Sequence, residues 1–148
     1  MTMSASVLQK WLASTFRQAA WAPLTVFVFY AVAAKGFNAY IDYPRLDIPT
    51  HFFGGVAITY FYLVAIAHGQ HLVGRLHRSI QLLLALGLTA IAAVIWEFLE
   101  FLSDAGFGTL MNLGVADTLV DLFFGLLGGL VMISVAACTP GIARVASK

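Results

Sequence analysis

Long runs of apolar residues dominate the chain, and short stretches that hold most of the polar residues separate them. A helix that crosses a bilayer needs about 20 mostly apolar residues. Four runs approach that length and predict transmembrane helices at about residues 20–37, 50–67, 80–101 and 118–137. Backbone groups in lipid must be satisfied within the segment, and no alternating barrel-strand pattern occurs, so these segments are expected to be helices.

The segment before the first predicted span, residues 4–18, has a different pattern. Apolar residues recur at helical spacing among polar ones, at Val7, Leu8, Trp11, Leu12 and Phe16. This pattern is typical of an amphipathic helix in the membrane interface. The alternative is a surface helix docked on the bundle or on a partner. We therefore expect an all-α membrane protein, with an amphipathic interfacial segment at 1–19 and a four-helix transmembrane domain at 20–148.

Composition supports this class. Of 148 residues, 61% are hydrophobic and 10% are charged, whereas a soluble domain has about 25% charged residues. The net charge of +1 gives no reason to expect a nucleic-acid partner. Because the chain is so apolar, membrane lipids are its expected partners. The single cysteine, Cys138, excludes an internal disulfide, and no cysteine and histidine spacing suggests a zinc finger.

The basic residues predict an orientation. Six of the eight lie on one side of the predicted spans: Lys10, Arg17, Arg75, Arg78, Arg144 and Lys148. The positive-inside rule then places both termini and the loop at 68–79 in the cytoplasm, with the protein in the inner (plasma) membrane. That loop contains His68, His71 and His77, which we interpret as part of a solvated basic turn near anionic lipid headgroups and not as a metal site.

The acidic residues all fall at or next to the predicted outer ends of the helices. They are Asp42, Asp47, Glu97, Glu100, Asp104, Asp117 and Asp121, and His51 lies at the same end. A carboxylate near hydrocarbon is costly, so such residues usually face a bundle interior or a watery cavity and mark a functional site.

The third and fourth predicted helices each carry two carboxylates on one face. Glu97 and Glu100 are three residues apart, and Asp117 and Asp121 are four apart, which aligns side chains on a helix. The glutamates lie at a predicted helix C-terminus, where the helix dipole disfavours negative charge, so another group is expected to stabilise them. Asp117 could be a simple N-cap, but Asp121 lies one turn deeper.

The second predicted helix opens with Asp47 and Pro49, a good helix start, and continues to His51. Asp47 could cap the helix, or it could hold the His51 imidazole in one tautomer.

Glycines follow both His51 and Asp121. They are Gly54 and Gly55 on the second predicted helix and Gly125 and Gly129 on the fourth. Small residues allow helices to approach closely. Contact between the two helices would bring His51 towards Asp121.

Together these residues predict a site of oxygen ligands and one imidazole. The proposed metal ligands are His51, Glu97, Asp117 and Asp121, with Glu100 as general base. Such a set suits a divalent metal ion (Mg²⁺, Mn²⁺, Ca²⁺, Fe²⁺ or Zn²⁺) that could activate water or hold a phosphate. Without a metal, the carboxylates could relay protons or form a hydrogen-bonded plug that fixes helix register.

The order of these motifs resembles two families of small prokaryotic inner-membrane proteins, the YjdF-like and VanZ-like proteins. The resemblance covers residues 47–130 and rests on Asp47-x-x-x-His51-Phe-Phe-x-Gly55, Trp96-Glu97-x-x-Glu100 and Asp117-Thr-x-x-Asp121-x-x-x-Gly125. VanZ-like proteins usually have Asn in place of Asp121 and a Gln near Glu100, which favours the YjdF-like match. The VanZ-like resemblance implies a link to the cell envelope and to glycopeptide (teicoplanin) resistance.

Three functions are compatible with the sequence. The first is a metal-dependent hydrolase or transferase that acts on a lipid or a lipid-linked envelope substrate. The second is a non-catalytic accessory subunit of a larger membrane complex with a protein partner. A cation or proton channel is the third, but polar residues do not continue down the spans.

Overall fold

The computed structural model describes residues 5–139 and 141–142. These residues form six α-helices and one short 3-10 turn, Pro44–Leu46, which leads directly into the fourth helix. The helices are α1 (Ala5–Ala19), α2 (Trp21–Phe37), α3 (Ala39–Asp42), α4 (Asp47–Val73), α5 (Arg78–Phe107) and α6 (Val115–Cys138). No strand occurs among the described residues. The prediction of an all-α membrane protein is confirmed.

Among the described residues, three segments are each long and apolar enough to cross a membrane: Pro44–Val73, Arg78–Phe107 and Val115–Cys138. They correspond to the second, third and fourth predicted spans, and each is longer at both ends than its predicted apolar core. The predicted first span is α2, of 17 residues. It meets the criteria for a span only together with α1, as a pair bent by 59°. The separate interfacial segment at 1–19 stays a prediction.

The bend between α1 and α2 has a local cause. Pro23 lacks the N–H that would otherwise bond to the Ala19 carbonyl one turn earlier, so the helical ladder is interrupted there. The helix thus changes direction at Ala20 without a loop. α1 packs on α4, where the Trp11 indole N–H donates to the Ala65 carbonyl (2.8 Å) and Gln18 is hydrogen-bonded to His68 (2.9 Å).

The connections on either side of α5 are both shorter in the structure than the sequence indicated. The predicted loop at 68–79 is wrong over most of its length, because α4 continues to Val73 and carries His68 and His71. Only residues 74–77 connect α4 to α5, starting at Gly74 with φ of 90°. The predicted spans at 80–101 and 118–137 also imply an outer connection at roughly 102–116, which is reduced to 108–114 because α5 continues to Phe107. A continuous helix satisfies more backbone groups near lipid than a loop would.

α4 and α6 lie parallel and in close backbone contact. A Cβ atom added to Gly55 would lie 1.9 Å from the Gly125 carbonyl oxygen, and one added to Gly128 would lie 2.0 Å from the Phe52 oxygen. The glycines therefore allow the two backbones to touch. The predicted contact of these helices is confirmed, with Gly128 as a contact residue that the sequence did not single out.

The opposite end of the bundle is closed by a different set of polar contacts. The Arg78 guanidinium donates to the Ala136 carbonyl near the end of α6 (3.0 Å) and to the Gln81 side chain (3.3 Å). Gln81 in turn donates to the Leu76 carbonyl (2.9 Å). The bond to Ala136 satisfies a backbone oxygen in the last turn of α6 that the helix itself leaves open.

Candidate metal centre

His51, on the second turn of α4, lies at the centre of the acidic cluster. Its Nε2 atom is 3.3 Å from Asp47 Oδ1 and 3.9 Å from Asp121 Oδ1, while its Nδ1 atom is 3.8 Å from Glu97 Oε1. The three carboxylates come from α4, α6 and α5 respectively. Three helices therefore converge on one imidazole, as the predicted cluster requires.

Three carboxylates of the cluster are deeply buried. The exposed fraction is 6% for Glu97, 3% for Glu100 and 2% for Asp121. Both oxygens of Glu97, Oε2 of Glu100 and Oδ2 of Asp121 have no hydrogen-bond partner among the described residues. A buried charge without a partner is strongly destabilising. These four oxygen atoms therefore need a proton, a cation or a water molecule to stabilise them.

One side chain near the cluster orients Glu100. The Trp96 indole N–H donates to Glu100 Oε1 at 2.8 Å, so one oxygen of that carboxylate is fixed and the other is free. Thr118 lies on the first turn of α6, near the same end of the bundle. The Thr118 hydroxyl accepts a bond from the Asn112 amide at 2.7 Å. Trp96, four residues before Glu100, could have been identified from helical spacing, whereas Asn112 lies on a loop and had no sequence signal.

The donor atoms are spaced closely enough to surround an ion. His51, Glu97, Glu100 and Asp121 each offer one ligand atom, and these atoms lie within 4.8 Å of one another. A second group with the same property consists of Asp47, Asp117 and Asp121. Asp121 belongs to both. Carboxylate oxygens with one imidazole nitrogen are a donor set that suits Mg²⁺, Mn²⁺, Fe²⁺ or Zn²⁺.

Several interpretations based on helix ends are corrected by the structure. Glu97 and Glu100 do not lie at a helix C-terminus, because α5 continues to Phe107. Asp47 is not the N-cap of α4, since Leu46 precedes it in that position and Asp47 is the first helical residue. Asp117 likewise lies in the first turn of α6, where it accepts a bond from the Leu113 N–H at 2.9 Å.

The remaining two acidic residues have other environments. Asp104 accepts hydrogen bonds from the Thr109 hydroxyl and from the backbone N–H groups of Met111 and Asn112, so it fixes the loop between α5 and α6. Asp42 is exposed on α3. Five of the seven predicted carboxylates therefore belong to the two ligand groups, and two do not.

A cavity of about 290 Å³ opens beside the cluster. Asp47, His51 and Glu100 line it at one end. Near that end, the Thr50 hydroxyl donates to the Leu46 carbonyl (2.8 Å), so the Tyr40 phenol is the donor in its 2.6 Å bond to Thr50. Burial raises the pKa of Tyr40 above its usual value and keeps the phenol neutral.

A comparison with known protein families finds one that matches the chain. The family described as "predicted membrane protein (DUF2238)" matches residues 1–140, which is nearly the whole chain. The chain therefore belongs to the DUF2238 family. No curated protein and no protein of solved structure matches it.

Proposed function

We propose that this DUF2238 membrane protein binds a divalent metal ion through His51, Glu97 and Asp121. The observation that carries the proposal is the set of four buried carboxylate oxygens without hydrogen-bond partners beside one imidazole. A cation between these groups would neutralise charge that is otherwise expensive in a membrane interior. Asp117 is not in this group, but its ligand atom lies within 4.8 Å of those of Asp47 and Asp121 in the second group.

Three protein ligands leave a coordination position for water, which is the usual arrangement of catalytic metal sites. Glu100 is the candidate general base, since Trp96 holds one of its oxygens and the other has no partner. We infer a metal-dependent hydrolase or transferase of the inner membrane, with a lipid-linked envelope substrate. The motif resemblance to YjdF-like and VanZ-like proteins agrees with an envelope role and is part of this proposal.

The test is the metal content of gently purified protein, measured by mass spectrometry. About one metal ion per chain is expected in the wild type, and the isosteric variants Glu97→Gln and Asp121→Asn should lose it. Asp42→Asn is the matched control, because Asp42 is an exposed carboxylate outside the cluster. Metal-free wild type, with variants that remain folded, would refute the metal site and favour the alternative of a non-catalytic accessory subunit with a protein partner.

A further inference from the structure

The cavity beside the cluster has two chemically different ends. Asp47, His51 and Glu100 form its polar end, whereas the rest is lined mostly by apolar side chains from three helices. Those side chains include Val26 and Phe27 of α2, Ile58 of α4, and Ala92 and Trp96 of α5. A ligand that fills this space needs a polar head and a hydrocarbon body.

The depth of the cavity depends on small residues. A Cβ atom added to Gly54 would meet no heavy atom within 4 Å, although Gly54 lies one turn from His51 and lines the cavity. Glycine at this position therefore leaves open space directly beneath the polar end. The volume of about 290 Å³ corresponds to roughly ten water-sized groups. That is enough for one alkyl chain.

We propose that this cavity binds the single alkyl chain of an amphiphile whose phosphate headgroup contacts the metal. The inference rests on the proposed function, because the carboxylates by themselves would repel a phosphate and only a bound cation would make their end attractive to it. The alkyl chain would be buried among Val26, Phe27 and Ile58. Both ends of the ligand then match the part of the cavity they occupy.

The experiment measures binding of decyl phosphate to purified, metal-loaded protein in lipid nanodiscs, with inorganic phosphate as the chain-free probe. Gly54→Leu and Ala92→Leu place a side chain in the cavity from two different helices. Either variant should weaken binding of decyl phosphate by at least about tenfold, since excluding even two methylene groups has that effect. Binding of inorganic phosphate and metal content should not change.

Gly87→Leu is the matched control, because Gly87 lies on an exposed face of α5 with no heavy atom within 4 Å of an added Cβ. It should bind decyl phosphate as the wild type does. A comparison of decyl phosphate with geranyl phosphate distinguishes a straight-chain lipid from an isoprenoid carrier, both of which share the alkyl phosphate chemistry.

Two results would overturn the inference in different ways. If metal is bound but Gly54→Leu and Ala92→Leu retain full affinity for decyl phosphate, the alkyl chain does not occupy the cavity and the metal site still stands. If the wild type binds no metal and decyl phosphate does not bind, the proposed function fails together with its substrate.

Discussion

Gly55 on α4 lies directly against the backbone of Gly125 on α6, where an added Cβ would be 1.9 Å from the Gly125 oxygen. His51 and Asp121 each precede their glycine by four residues, one helical turn, on parallel helices. The glycine contact therefore sets the 3.9 Å separation between His51 Nε2 and Asp121 Oδ1. The packing of α4 on α6 therefore determines the geometry of the candidate metal site.

Gly55→Ala should destabilise the protein and impair the site at the same time. Its methyl group would displace α6, and overpacking of this kind costs about 1–3 kcal/mol. Thermal unfolding in detergent is the measurement, and metal content of the folded fraction is the second readout. Gly87→Ala is the control and should be neutral or more stable by up to about 1 kcal/mol. Equal stability of the two variants would contradict the tight contact.

Asp47→Asn should weaken metal binding without abolishing it. Asp47 Oδ1 lies 3.3 Å from His51 Nε2 and orients the imidazole. Loss of such an orienting carboxylate typically lowers metal affinity about 10–100-fold. Titration with Mn²⁺ or Zn²⁺ should therefore give a higher Kd but the same stoichiometry at saturation. A lower stoichiometry at saturation would instead make Asp47 a ligand, through its group with Asp117 and Asp121.

Metal affinity should rise with pH. The imidazole of His51 and the carboxylates of Glu97 and Asp121 must be unprotonated to bind a cation, so protons compete with the metal and are released when it binds. Lowering the pH adds protons and weakens binding. Calorimetric titration between about pH 5 and pH 8, in two buffers of different ionisation enthalpy, measures both effects. Affinity that does not vary with pH would argue against these ligands.

Cys138 provides a test of the predicted orientation. It is a free, exposed thiol at the end of α6, distant from the acidic cluster. A membrane-impermeant maleimide should label it in inverted vesicles and not in spheroplasts, because the positive-inside rule places this end in the cytoplasm. Asp42→Cys in a Cys138→Ser background should give the reverse pattern. Labelling of both positions from the same side would refute the predicted topology.

The sequence indicated which segments form the main helices, but it did not determine how those helices pack together. Apolar length alone predicted α4, α5 and α6, because lipid excludes any unsatisfied backbone. The same reasoning ended the third span at about residue 101 and so placed Glu97 and Glu100 in the last turn of a helix that continues to Phe107. A helix can continue past the end of its apolar run when neighbouring elements contact its polar residues, and sequence patterns carry no information about those neighbours.

The sequence by itself determined an all-α membrane protein with carboxylates and a histidine at one end, since composition and apolar length are local properties of the chain. Only the tertiary structure decided which side chains meet. The four ligand residues come together because Gly55 and Gly125 allow α4 and α6 to touch; they are His51, Glu97, Glu100 and Asp121. Asp104 instead accepts hydrogen bonds from the loop that follows α5. These outcomes depend on distances between helices, which spacing along one helix does not encode.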